Sequence, residues 1–202
     1  MDRASLTEHL IGLGVLRSAS IIAAFRAIDR MDFVPEAFAQ EGYEDVALPI
    51  DFGQTISQPY TVAFMLELLQ PAEENRVLDI GSGSGWTTAL LAHIVGPKGC
   101  VIGLELVPEL VSYGSSNLEK YHFAHAEIRQ AETLGAPDEK PFDRTLVSAA
   151  GTEIPNDLIT QLTTRGVLVM PVDSAIVRVQ KKTQKDAVIE RHEGFAFVPL
   201  IY

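Results

Sequence analysis

The chain has 202 residues, 47% of them apolar, enough for one domain with a sizeable core. Its net charge of −11 argues against a duplex nucleic-acid partner, which would want a basic face. No apolar run approaches the ~18 residues of a membrane span, the start MDRASLTEHL lacks a signal-peptide pattern, and the single cysteine, Cys100, excludes an intrachain disulfide, so a soluble cytoplasmic protein is expected.

The first 70 residues read as a small helical lobe. Residues 5–13 predict a helix with Ser5 as cap and Glu8 at capping-box spacing. Residues 18–28 predict a second, capped by Ser18 or Ser20, with apolar residues on one face. Residues 31–39, around Pro35, predict a short helix after a turn. Residues 47–53 are extended or looped, because Pro49 keeps its neighbour out of helix. Pro59 suits a helical first turn, and Val62, Met65, Leu66 and Leu69 share a face, so 59–69 is a helix.

An alternating pattern fills residues 71–202. Strands are expected at 76–80, 100–104, 127–130, 144–148 and 166–170, and helices at 87–94, 108–121 and 155–163. Cys100 reads as a small residue of a buried strand. Short strands separated by helix-length segments imply βαβ units and a parallel sheet. Residues 175–181 and 187–191 alternate without an intervening helix and read as antiparallel strands closing one edge; 195–199 extends them.

The densest signal is VLDIGSGSGW at 77–86. A strand ends at alternating glycines, Gly81, Gly83 and Gly85, and a helix follows, the way an open α/β sheet builds a nucleotide pocket. Glycine lets backbone approach a ligand without a Cβ in the way. A dinucleotide fingerprint wants G-x-G-x-x-G; here the third glycine is one place early, and bulky Trp86 stands where the helix should approach closely. Glu105, after the second strand, can accept hydrogen bonds from both hydroxyls of a ribose. Asp79 and Glu105 suit S-adenosylmethionine, with its sulfonium, better than a pyrophosphate. Asp79 can also brace the turn, and the two roles are compatible. The five histidines share no metal-ligand spacing, so no metal is expected.

The segment ALPIDFGQTISQP at 47–59 adds an acceptor. With FVPE (33–36), Tyr43-Glu44-Asp45, VLDIGSGSGW, Pro108-Glu109-Leu110, Phe142-Asp143-Arg144, Ala149-Ala150-Gly151, Ile154-Pro155, Met170-Pro171 and FVPL (197–200), it resembles the protein-L-isoaspartate O-methyltransferases over nearly the whole chain. The resemblance implies a Rossmann-like α/β methyltransferase, a doubly wound and mostly parallel sheet with antiparallel C-terminal strands and a small helical N-terminal lobe. It implies methyl transfer from S-adenosylmethionine to the free carboxylate of L-isoaspartyl residues, with S-adenosylhomocysteine as product. The methyl ester then cyclises to a succinimide, which reopens to aspartate. Isoaspartyl proteins and peptides are the implied partners of a monomer acting without nucleic acid or membrane.

By the same resemblance Ser57 faces the substrate carboxylate as the catalytic position, although it could instead cap the helix at Pro59. Gln54, Thr55, Ile56, Val198, Pro199 and Leu200 join it on the substrate side. Asp79, Gly81, Ser82, Gly83, Ser84, Gly85, Glu105, Leu106, Ala131 and Glu132 form the cofactor side. Ala131 stands where many members place an aspartate near the adenine, which implies weaker binding unless Glu132 compensates. Asp51 would repel an anionic acceptor if it pointed inward. A methyltransferase for another acceptor and a binding module without turnover are the competing readings; an NAD oxidoreductase fits the glycine spacing worst.

Overall fold

The computed structural model of the chain describes residues 2–184 and 186–201. Helices α1 (Arg3–Gly12) and α2 (Ala19–Ala27) lead to two short 3-10 helices, Arg30–Phe33 and Glu36–Glu41, and a two-stranded hairpin, β1 (Leu48–Pro49) and β2 (Thr55–Ile56). Then come α3 (Pro59–Leu69), β3 (Arg76–Ile80), α4 (Trp86–Val95), β4 (Cys100–Glu105), α5 (Pro108–Glu119), β5 (Ala126–Gln130), β6 (Phe142–Val147), α6 (Asn156–Thr160), β7 (Leu162–Val172), β8 (Ala175–Lys181) and β9 (Ala187–Glu193).

The main sheet runs β5-β4-β3-β6-β7-β8-β9. Its first five strands are parallel, and β8 and β9 join antiparallel. The chain steps outward from β3 to β4 and β5, then returns to the other side of β3 with β6. The strand order reverses at β3, and the crevice outside the carboxyl ends there is where open α/β sheets bind ligands.

Strand β3 is apolar on both faces because both are covered. Val77 belongs to the core shared with α1 to α5, and Leu78 and Ile80 to a second core with Phe142, Leu158 and Leu168. From Trp86 to Ala92 every residue of α4 is buried, as expected of a helix covered on both sides.

Several local expectations are revised by longer-range partners. Asp2, not Ser5, caps α1, its side chain accepting from the Ser5 N–H at 2.8 Å, and Glu8 pairs with Arg26 instead of closing a capping box. Ser18 occupies the cap position of α2 but donates its hydroxyl to Glu67 at 2.7 Å. Glu67, buried on α3, also accepts from the N–H groups of Arg17 and Ser18, so a carboxylate from another helix satisfies that terminus. The single helix expected around Pro35 is two 3-10 turns with Pro35 between them. Helix α6 is shorter, and β7 longer, than the apolar pattern suggests. Cys100 is half-buried at the start of β4. Residues 195–199 do not extend the antiparallel edge. Pro199 instead forms a parallel bridge with Ala150, the Ala150 N–H donating to the Val198 carbonyl and the Leu200 N–H to the Ala150 carbonyl, each at 2.8 Å.

Candidate active site

A cavity of about 190 Å³ opens at the carboxyl ends of β3, β4 and β6. Three parts of the chain meet there. The glycine turn contributes Gly81, Ser82, Gly83 and Ser84; the ends of β4 and β5 contribute Glu105, Leu106, Ala131 and Glu132; the hairpin and the C-terminal segment contribute Gln54, Thr55, Ile56, Ser57, Val198, Pro199 and Leu200. Two predicted residues do not line it. Asp79 is wholly buried beneath the turn, and Gly85 packs against α5. Asp51 is exposed and absent from the lining, so its charge does not point into the cavity.

The turn is shaped by backbone demands. The N–H groups of Gly81 and Ser82 both donate to the Leu104 carbonyl, at 2.8 and 3.1 Å. Gly85 lies at φ 89°, and a Cβ there would fall 2.8 Å from the Gly114 carbonyl oxygen of α5. The close helix approach missing at Trp86 is thus made between two glycines, one of them outside the motif. Trp86 itself lines the cavity and packs edge-on to Phe25.

Glu105 holds the turn from the neighbouring strand. One carboxylate oxygen accepts from the Gly83 N–H at 2.8 Å; the other accepts from Leu106 and Val107 N–H groups at 2.8 and 3.0 Å. A carboxylate oxygen has two lone-pair sites, so the oxygen that accepts from Leu106 and Val107 is full, and the one that accepts from Gly83 retains a site for one ligand hydroxyl, where the sequence suggests room for both. Asp79 accepts through Oδ2 from Thr87 and Thr88, both at 2.7 Å, while Oδ1 has no partner. Asp79 therefore braces the first turn of α4 from outside the cavity lining.

Burial pushes Asp79 up from 3.8 to about 6; the Thr88 and Thr87 hydroxyls oppose this, and the nearby Glu105 charge adds to it. Because the folded state holds the proton more tightly, the contribution is complete below pH 3.8 and is lost as pH rises through 6. The total is about 3 kcal/mol. In urea unfolding between pH 5 and 7.5, wild type should lose about 1.5 kcal/mol relative to Asp79→Asn. A constant difference across that range would contradict the assignment.

The donor set fits S-adenosylmethionine. Neither Asp79 nor Glu105 has an ion-pair partner among the described residues, so a cationic sulfonium is favoured nearby. Ser82 Oγ and Trp86 Nε1 are buried without a partner, and both residues line the cavity. Such orphaned polar atoms suit a polar ligand.

At the hairpin end of the cavity, Ser57 lines the wall and its hydroxyl has no partner among the described residues. It does not cap α3. Gln58 is at the cap position, but its side chain accepts from the Thr61 hydroxyl and makes no capping bond, and Asp45 accepts from the Tyr60 N–H at 2.8 Å instead. Ile50, Val62, Ile80, Leu104, Ser148 and Ala149 also line the cavity and were not singled out from sequence. Val62, Ile80 and Leu104 lie on a helix or strands, and Ile50, Ser148 and Ala149 lie just past strand ends; their role depends on which elements meet.

The reversed-order parallel sheet, the glycine turn and the acid after the second strand define an S-adenosylmethionine-dependent methyltransferase of Rossmann-like fold. A family model described as protein-L-isoaspartate(D-aspartate) O-methyltransferase matches residues 1–202, and the chain belongs to that family. It is 40% identical over 206 residues to the protein-L-isoaspartate O-methyltransferase of Methanopyrus kandleri, covering 98% of this chain and 91% of the relative. It is 41% identical to that of Thermococcus onnurineus, covering 96% and 90%. Among solved structures, a Plasmodium falciparum protein described as such a methyltransferase, in complex with S-adenosyl-L-homocysteine, superposes with a TM-score of 0.86 at 25% identity, covering 100% of this chain and 99% of that one.

Proposed function

We propose that this protein transfers the methyl group of S-adenosylmethionine to the free α-carboxylate of L-isoaspartyl residues in damaged proteins and peptides. One observation carries the reading: the unpartnered Ser57 hydroxyl of GQTISQP shares a cavity with the glycine turn and Glu105. S-adenosylmethionine, when bound, supplies an electrophilic methyl group. Glu105 would accept from a ribose hydroxyl through the oxygen that also holds Gly83, with Leu106, Ala131 and Glu132 along the adenine. Ala131 offers no side-chain acceptor there, and Glu132 on the same wall supplies a neighbouring carboxylate.

The acceptor carboxylate has an ordinary pKa near ~4 and is ionised at neutral pH, so no general base is required. Ser57 would donate to it and orient it, with Gln54, Thr55 and Ile56 on one side and Val198, Pro199 and Leu200 on the other. Apolar Ile50, Val62 and Leu104 limit water around the reacting atoms. Catalysis is then mainly alignment. Residues 1–202 act as one methyltransferase domain, in which 1–70 supply the acceptor loop and 71–202 the cofactor pocket. The enzyme works as a cytoplasmic monomer on proteins and peptides, without nucleic acid or membrane.

Incubation with labelled S-adenosylmethionine and an isoaspartyl peptide should give a base-labile methyl ester that decays through succinimide to aspartyl peptide. Base-stable label, or none, would sink the proposal.

A further inference from the structure

Arg30 is a buried cation outside the cavity lining, 2% exposed. Nη1 donates to the carbonyls of Gly42 and Glu44 at 2.8 and 3.2 Å; Nη2 donates to those of Val46 and Ser57 at 2.9 and 3.2 Å. The guanidinium carbon sits 5.3 Å from the centre of the Trp86 ring. No carboxylate pairs with it among the described residues, and its Nε has no partner.

Asp45 favours the Arg30 charge from beyond ion-pair distance, but a buried charge without a direct ion pair is still costly, and an apolar side chain would fill the same space at less expense to stability. What an apolar side chain cannot do is bind several carbonyls at once. The planar fork can, and a lysine point charge cannot reproduce its geometry. Here the fork gathers the irregular 42–46 segment and the Ser57 carbonyl, and stacks them against Trp86. Ser57 belongs to the acceptor side of the cavity and Trp86 to the first residue of α4 beside the glycine turn. Arg30 touches both.

We infer that Arg30 is a positioning residue that sets the spacing between the acceptor loop and the cofactor wall. The inference rests on the proposed methyl transfer, because a spacing error of that kind penalises the transfer step more than the binding of either ligand. A plain packing role would instead lower stability and affinity together.

The test uses Arg30→Lys, with Arg30→Ala for rescue by millimolar guanidinium. Trp86 is the only tryptophan, so its fluorescence reports both the contact and the binding of S-adenosylhomocysteine. Arg30→Lys should lower kcat for an isoaspartyl peptide by about tenfold to a hundredfold. The Kd for S-adenosylhomocysteine should stay within about threefold. Trp86 emission should shift, amide exchange in 42–58 should rise, and β3 should stay protected. Guanidinium should restore part of the kcat of Arg30→Ala; if that variant does not fold, Arg30→Lys decides alone. Proportional loss of kcat, affinity and stability, or no change in any, would overturn the inference. Wild type that ignores isoaspartyl peptides would overturn the proposed function, whereas unchanged exchange and fluorescence in Arg30→Lys would overturn the role of Arg30.

Discussion

Gly114→Ala should weaken S-adenosylhomocysteine binding by about tenfold or more and destabilise the protein by about 1–3 kcal/mol. The direction is opposite to the usual effect, since alanine in a helix interior is ordinarily better than glycine by ~1 kcal/mol. Geometry decides the sign. A Cβ on Gly114 would lie 2.7 Å from the Gly83 carbonyl oxygen, 3.0 Å from Ile128 Cδ1 and 3.3 Å from the Gly85 N. Two of those atoms are backbone of the turn that Glu105 holds through the Gly83 N–H. The turn must move, and with it the ligand's wall. Calorimetric titration with S-adenosylhomocysteine and urea unfolding of the same variant check both halves. Unchanged affinity with raised stability would mean that the α4–α5 approach has slack.

Ser57→Ala should separate binding from transfer. Among the described residues the hydroxyl has no partner, and Asp45 already satisfies the start of α3, so the substitution removes no bond seen there. Stability should stay within about 0.5 kcal/mol, and S-adenosylhomocysteine affinity within about twofold. A hydrogen bond to a charged group is worth ~1.5–3 kcal/mol, so turnover on isoaspartyl peptides should fall roughly tenfold to a hundredfold. A stability loss with intact turnover would return Ser57 to a structural role.

These two residues also show how far the sequence carries. The β3–turn–α4 unit is legible because its signals are local: an apolar strand, glycines where positive φ is needed, and a helix at once. Ser57 is legible through the GQTISQP motif, but the motif alone leaves capping and ligand roles open. Only the position of Asp45, which takes the cap, separates them. Gly114 carries no local signal, because its reason lies in the carbonyl of Gly83 on another element. Arg30 is similar: a charged residue in a polar stretch reads as surface, and its burial depends on four carbonyls that the hairpin region brings together. The C-terminal segment reads as another strand of the edge, yet pairs with Ala150 after β6 and reaches the cavity, since strand pattern gives no partner. Asp79 makes the bracing contacts that its place before the turn also suggests, holding α4 from beneath the turn.

The central claim is that one cavity holds S-adenosylmethionine and an isoaspartyl carboxylate together. The most direct measurement is kcat/KM for methyl transfer to an isoaspartyl peptide and to its aspartyl twin of identical sequence. Efficient methylation of the isoaspartyl peptide is expected, with none detectable on the twin. Equal labelling of both, or of neither while S-adenosylhomocysteine still binds, would contradict it.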